Sequence, residues 1–252
     1  MIMRHSGQYI YAITGDGGPI ATDLKSIGGE GNPVYVVGYK DIGAVVSDSS
    51  IVSYPVCRSN TMAHQKVMEA LMQTHTLLPV RFGTIAEGVD QIRGKLLAAR
   101  YAELSGLLRQ MQDKIELGLK VLWNDMNILF QELVSENREI RQLRDRLATQ
   151  KAANPQAQVR LGEMVKKALE RKREKERNAV LESLRGYWVD QRSNKEFGDL
   201  MVANSAFLVL KQREKDFDGA VEDLARHYDG RMTFRYVGPV PPANFVEITV
   251  RW

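Results

Sequence analysis

The stretch from Gln156 to Trp188 constrains this chain most. Its apolar residues Val159, Met164, Val165, Leu169, Val180, Leu181 and Leu184 keep helical spacing, while its middle, Glu170 to Arg177, is almost wholly charged. Upstream, Met126, Leu129, Phe130, Leu133, Ile140, Leu143 and Leu147 form a second helical stripe, which Asn124 or Asp125 can cap. Asn154-Pro155 breaks the two apart. The pair reads as a helical hairpin projecting from its domain over about 125–190.

On either side of the hairpin the period changes to that of strands. Ile115, Leu117, Leu119, Val121 and Trp123 alternate with Glu116, Gly118, Lys120 and Leu122, as in a half-buried strand with the second set facing water. Leu200-Met201-Val202 and Ala206 to Leu210 read as extended. Phe217, Val221, Leu224, Ala225 and Tyr228 make one helix face that ends at Asp229-Gly230. Met232, Phe234 and Tyr236 follow as a strand, which Gly238-Pro239-Val240-Pro241-Pro242 should stop, and Phe245 to Arg251 is a β-like tail. This order predicts a split βαβ, ferredoxin-like sheet with an enlarged first crossover.

The N-terminal part has its own set of elements. Tyr9 to Thr14 reads as a strand, and Val34 to Tyr39 and Gly43 to Ser47 read as two strands of a hairpin about Lys40-Asp41. Ser59-Asn60 can cap a short helix running to about His75. Leu77 to Ile85 is extended, with Pro79 near its start, and Val89 to Met111 has the spacing of one amphipathic helix. The expectation is an α+β chain of two α+β domains: residues 1–112, a ferredoxin-like domain at 113–242 with the helical insertion, and a tail at 243–252. The sequence shows no internal repeat.

Several classes of chemistry find no pattern. The single Cys57 excludes an internal disulfide framework and a Cys-rich zinc site, so a reducing compartment is expected. No apolar run approaches the roughly 18–20 residues of a membrane span, and the N-terminus reads as a strand rather than a signal peptide, so a cytoplasmic, membrane-free protein is expected. Glycines between residues 15 and 31 invite a phosphate reading, but no G-x-x-x-x-G-K-[ST] accompanies them, and a flexible connection is favoured. His5, His64, His75 and His227 have no partner at ligand spacing, and Glu69 gives His64 no H-E-x-x-H pattern. Arg58 can lower the Cys57 thiol, yet no base follows and no G-x-S-x-G occurs; no metal, cofactor or catalytic residue is expected.

Two basic features remain. Arg81, inside Leu78-Pro79-Val80-Arg81-Phe82-Gly83-Thr84, needs an acceptor or an outward position at a sheet edge; ligand binding is the alternative. Residues 137–177 hold thirteen Lys/Arg and six Asp/Glu, a net of +7, while the rest of the chain, with 22 against 25, carries −3. Lys166, Lys167, Arg171 and Arg173 therefore join Arg81 and Phe82 as candidate partner-binding residues. RNA binding through the hairpin is the competing reading. Against it, the charges are of mixed sign and no aromatic residue occurs between 131 and 186 to stack a base, so protein docking is preferred and nucleic acid is not an expected partner.

Gly198-Asp199-Leu200-Met201-Val202-Ala203-Asn204-Ser205-Ala206-Phe207-Leu208-Val209, and Phe234-Arg235-Tyr236-Val237-Gly238-Pro239-Val240-Pro241-Pro242-Ala243-Asn244-Phe245-Val246, closely resemble the gas vesicle protein GvpF/GvpL family. Tyr9 to Ile13 and Leu77 to Thr84 are similar to it too, and the F type is the better match. Ala243 departs from the family, whose Pro-Pro run is often followed by an aromatic residue. The resemblance implies a non-enzymatic accessory or minor structural protein. It would bind the small hydrophobic shell protein of gas vesicles, and other accessory proteins, and assist assembly, placing it in the vesicle and cytoplasm of a prokaryote. Asn204, Phe207, Gly238, Pro239, Pro241, Pro242 and Phe245 are then expected to act as scaffold first.

Overall fold

A computed structural model describes residues 7–15, 17–18, 24–29, 31–50, 53–150 and 154–252. His5, parts of the glycine-rich connection and residues 151–153 of the basic segment lie outside the described residues. The chain is mixed α and β and clusters into two units. The first comprises Met1–Leu117, Leu210–Gln212 and Gly238–Trp252, and the second Gly118–Val209 and Arg213–Val237. The segment expected as a tail, 243–252, thus groups with the first unit.

In the first unit, β1 (Gly7–Thr14), β2 (Val34–Tyr39), β3 (Ile42–Ser49) and β4 (Leu77–Pro79) form a sheet in the order β2-β3-β1-β4, and β5 (Ile85–Ala86) also pairs with β1. Central β1 is buried on both faces from Tyr9 to Thr14, which explains a run that is β-branched or aromatic at every position but Ala12. The β2–β3 hairpin pairs Tyr39 with Ile42 about Lys40-Asp41, as expected. Gly38 in β2 has no alternative: a Cβ there would lie 2.4 Å from the carbonyl oxygen of Gly17. Pro79 ends β4 rather than starting it. Its carbonyl still accepts from Ile248 N, and Val80 forms a parallel bridge with Ile248.

Helix α1 (Arg58–Leu71) buries His64, Val67, Met68 and Leu71. Its N-cap is Cys57, not Ser59 or Asn60; the Asn60 amide instead donates to the carbonyl of Pro55, 3.0 Å away. The single helix expected over 89–111 is interrupted. It begins as one turn, α2 (Val89–Gln91), continues as a π-helical segment at Ile92–Ala98, and resumes as α3 (Tyr101–Met111). Ile92, Leu96, Leu97, Leu104 and Leu108 are still buried, so the apolar pattern survives a change of winding that periodicity did not reveal.

In the second unit, β6 (Lys114–Trp123), β7 (Asp190–Ser193), β8 (Met201–Leu210) and β9 (Met232–Val240) are ordered β7-β8-β6-β9; β6, β8 and β9 also contribute residues to the first unit. The two extended stretches at Leu200 to Val202 and Ala206 to Leu210 belong to one strand, Met201–Leu210, and a further strand, β7, lies in the polar Asp190-Gln191-Arg192-Ser193, which pairs antiparallel with β8. Strand β9 continues through Gly238 and Pro239 to Val240 instead of stopping at them. Helix α7 (Glu214–His227) buries Phe217, Val221 and Leu224, and Phe217 packs on Phe207 with ring centroids 5.1 Å apart.

The insertion between β6 and β7 consists of α4 (Met126–Glu136), α5 (Arg138–Thr149) and α6 (Pro155–Ser183). Asp125 caps α4 by accepting from Asn127 N at 2.7 Å. Asn154 caps α6 by accepting from Ala157 N at 3.0 Å, with Pro155 in the first turn, where its missing N–H costs nothing. Asn137 splits what the stripe from 126 to 147 suggested was one helix. Leu133, Val134, Ile140 and Ala168, with Leu161, Met164, Val165 and Leu169 packed against them, give the insertion a small core of its own.

Candidate functional site

The insertion owes its charged character to two different arrangements. One is internal. Lys172 on α6 is only 10% exposed, and its ammonium lies 2.6 Å from Glu136, 3.0 Å from Glu132 and 3.9 Å from Glu176. Arg231, at the entry to β9, makes a two-pronged contact with Glu132 at 3.0 and 2.8 Å and pairs with Glu176 as well. Trp123 of β6 donates its indole N–H to Glu176 at 2.6 Å. The hydrogen bond from Arg231 is the main reason the Glu132 carboxyl is held down to about 2. Burial works against the Lys172 charge, but the carboxylates of Glu136 and Glu132 outweigh it and raise Lys172. These contacts tie α4, α6 and β9 together.

The other arrangement faces outward. An open cleft of about 770 Å³ is floored by Leu133, Ala168 and Ala179 and rimmed by Arg171 and Lys175. Lys167, Arg171 and Lys175 recur every four residues, so they share one exposed row of α6. None of the three makes an ion pair among the described residues; Arg171 Nε donates to the carbonyl of Lys167. Lys166 is exposed one position off this row. Arg173 turns inward, lying over the Trp123 ring at 5.7 Å and donating to the Asp199 carbonyl at 2.8 Å. Of the four basic residues singled out on α6, the structure therefore brings Lys167 and Arg171 together and adds Lys175 to them. Glu132, Glu136, Lys172, Glu176 and Arg231 escaped sequence reasoning. Only the Lys172–Glu176 spacing hinted at contact, because Glu132 and Arg231 are 99 residues apart.

In the first unit, Arg81 is exposed and points outward, while its backbone N–H donates to Ile248. Phe82 is half-buried against Tyr9 and His64, with ring centroids 6.2 and 5.6 Å away. His64 sits among these rings, 7% exposed, with Nδ1 2.9 Å from the Tyr9 hydroxyl. Burial pushes its imidazole down to about 4, against a smaller upward pull from the Val80 backbone. Tyr9 also accepts from Gly83 N at 3.1 Å, so β1, α1 and the turn after β4 meet at one hydroxyl. Cys57 is exposed, and its thiol is lowered chiefly by the Ser59 hydroxyl and then by the Asn60 backbone, not by Arg58. Among the described residues, no group of three or more His, Cys, Asp or Glu could hold a metal ion, and no helix is long and apolar enough to cross a membrane.

The motif residues lie inside the fold. Asn204 donates from its side chain to the Lys195 carbonyl at 2.7 Å and Phe207 is fully buried. Gly238 has φ +137° and meets Leu117: a Cβ there would come within 2.8 Å of a Leu117 methyl. Pro241 and Pro242 are buried, and the Pro242 carbonyl accepts from the N–H groups of Phe245 and Val246. Pro239 and Phe245 are half-buried. Beside them Glu116, expected on the solvent side of its strand, is 4% exposed and accepts from both the backbone and the side-chain amide of Asn244. Burial raises this carboxyl, and the bonds from Asn244 pull the other way.

Fold and site together define a two-unit α+β protein whose second unit carries an enlarged, charged helical insertion. The family model for the gas vesicle synthesis protein GvpL/GvpF matches residues 7–247, and the chain belongs to that family. It is 25% identical to gas vesicle protein F of Nostoc sp., covering 97% of this chain and 99% of that one. It is 28% identical to gas vesicle protein F of Streptomyces sp., covering 95% and 99%. The crystal structure of GvpF from Anabaena sp. superposes with a TM-score of 0.85 at 25% identity, over 96% of this chain and 99% of that one.

Proposed function

We propose that this chain is a non-enzymatic gas vesicle accessory or minor structural protein. In this reading it binds the small hydrophobic shell protein, limits its aggregation, and assists nucleation and assembly of the vesicle in a prokaryotic cytoplasm. The observation that carries the reading is the family match across residues 7–247, which takes in both units and the insertion. Physical chemistry supplies the need: a shell subunit with an apolar gas-facing surface aggregates in water until it is assembled. A solvent-facing helical cleft is a suitable means of holding such a subunit. Other gas vesicle accessory proteins are proposed as additional partners.

The direct test is co-expression of tagged chain with the shell protein. Co-purification at near-stoichiometric yield, together with slower light-scattering growth when the shell protein is diluted from denaturant, is expected. Absence of both effects would sink the reading.

A further inference from the structure

The insertion separates its charges into a satisfied set and an available set. Glu132, Glu136 and Glu176 are paired with Lys172 and Arg231 at distances down to 2.6 Å, three carboxylates sharing two cations. The remaining charged residues lining the cleft are Arg171 and Lys175, both cationic, and Lys167 extends their row by one turn. Glu170 and Glu174 do not line it. The cleft therefore presents Leu133, Ala168 and Ala179 beside two cations, Arg171 and Lys175, that make no ion pair among the described residues. Its lining follows α6 from Ala168 to Ala179, twelve residues spanning about 16 Å, the length of about three helical turns.

We infer that this cleft docks an acidic amphipathic segment of a partner protein, with carboxylates on Arg171 and Lys175 and an apolar face on Leu133, Ala168 and Ala179. The inference rests on the reading of the chain as a protein-binding accessory and adds the surface and the chemistry of what it accepts. A protein segment fits better than RNA because no aromatic residue lies on α5 or α6 for a base to stack on, and Tyr228, the one aromatic lining residue, packs on Phe234 and His227. It fits better than a lipid surface because Leu133 and Ala168 are buried and Ala179 is the one exposed apolar lining residue, too little to enter a bilayer.

The test uses the full chain and two synthetic helical peptides of about twelve residues, one with Glu at every fourth position beside a Leu face and one with Lys in place of each Glu. Backbone amide shifts should move at residues 168–179 with the acidic peptide alone. R171E/K175E should weaken its binding at least about tenfold, as should raising salt from about 50 to about 300 mM. R171Q/K175Q should weaken it less, and both variants are checked for unchanged cooperative unfolding; the wild-type comparison of the two peptides stands even if one of them unfolds. Equal binding of both peptides, binding of neither, or an unchanged affinity in both variants would overturn the inference, as would tighter binding of polyuridylate or of phosphatidylglycerol vesicles at the same residues. If the shell protein co-purifies while the peptides fail, only the docking surface is wrong. If the acidic peptide binds while the shell protein does not co-purify, the functional reading fails and the cleft chemistry stands.

Discussion

Glu116 and Asn244, 128 residues apart, are locked together: the carboxylate accepts from the Asn244 backbone at 2.8 Å and from its side-chain amide. Both oxygens of a buried acid are thereby satisfied by one residue that follows the Pro241-Pro242 pair. The hydrogen bonds lower the cost of burial but do not abolish it, since the carboxyl remains raised.

Replacing Asn244 with Ala leaves one carboxylate oxygen buried without a partner. The expected loss is about 1–3 kcal/mol at neutral pH, read as a lower urea midpoint with an unchanged m-value. The raised carboxyl adds a sign: the native state holds its proton more tightly, so the loss should shrink as pH falls through the range in which Glu116 protonates.

This pair shows where sequence reading stops. Alternation correctly put Ile115, Leu117, Leu119, Val121 and Trp123 in the core, because period-2 burial is a local property of a strand. The same alternation assigned Glu116 to water, since its partner is supplied by a distant loop that no local pattern encodes. The cap at Asp125, offered together with Asn124, was legible because a cap acts within three residues, whereas Asn154, read with Pro155 as a break, turns out to cap α6. Strand β7 was not, because Asp190 to Ser193 has no apolar alternation and pairs only because β8 is already there. Of the row beside the cleft, Lys167 and Arg171 were visible as helical charges; that their neighbour Lys172 is spoken for by Glu132 and Glu136 depends on how α4 lies against α6.

His64 should give the protein a pH-dependent stability. Its folded value near 4 lies below the ordinary 6.5, so the native state favours the neutral ring. Stability is complete above about pH 6.5 and is lost as pH falls toward 4, by up to about 3 kcal/mol if the whole difference is expressed. Urea midpoints measured between pH 7 and 5 should fall. In His64→Phe, which keeps an aromatic ring beside Tyr9 and Phe82, that slope should largely vanish; an unchanged slope would assign it to other groups.

Gly238→Ala tests the scaffold role of the motif that begins in the last residues of β9. The backbone there has φ +137°, and an added methyl would meet Leu117 at 2.8 Å and the Glu116 carbonyl oxygen at 3.0 Å. Strain and overpacking act together, so a destabilisation of about 2–4 kcal/mol is expected. Thermal unfolding should show it, whereas Gly162→Ala in α6, where nothing lies within 4 Å, should be neutral or slightly stabilising.

Arg231 offers the sharpest test of how the insertion is held. Its guanidinium spans Glu132 and Glu176, and Lys172 joins the same carboxylates from α6. Arg231→Ala would leave two partly buried glutamates with Lys172 as their remaining cation in the network. Because Arg231 and Glu132 are each a little over a quarter exposed, solvent moderates the loss, and about 1–3 kcal/mol is expected rather than the larger value of a fully buried pair. Arg231→Lys should recover only part of it, since an ammonium cannot make the two-pronged contact with Glu132. The pH dependence has a definite sign. Glu132 is held down to about 2, so its contribution is present above the ordinary 4.5 and is lost as pH falls from there toward 2. Wild type should therefore lose stability over that interval faster than Arg231→Ala, and the two urea-midpoint curves should converge in acid. Parallel curves would mean that the ion pair does not carry the α4–α6–β9 junction.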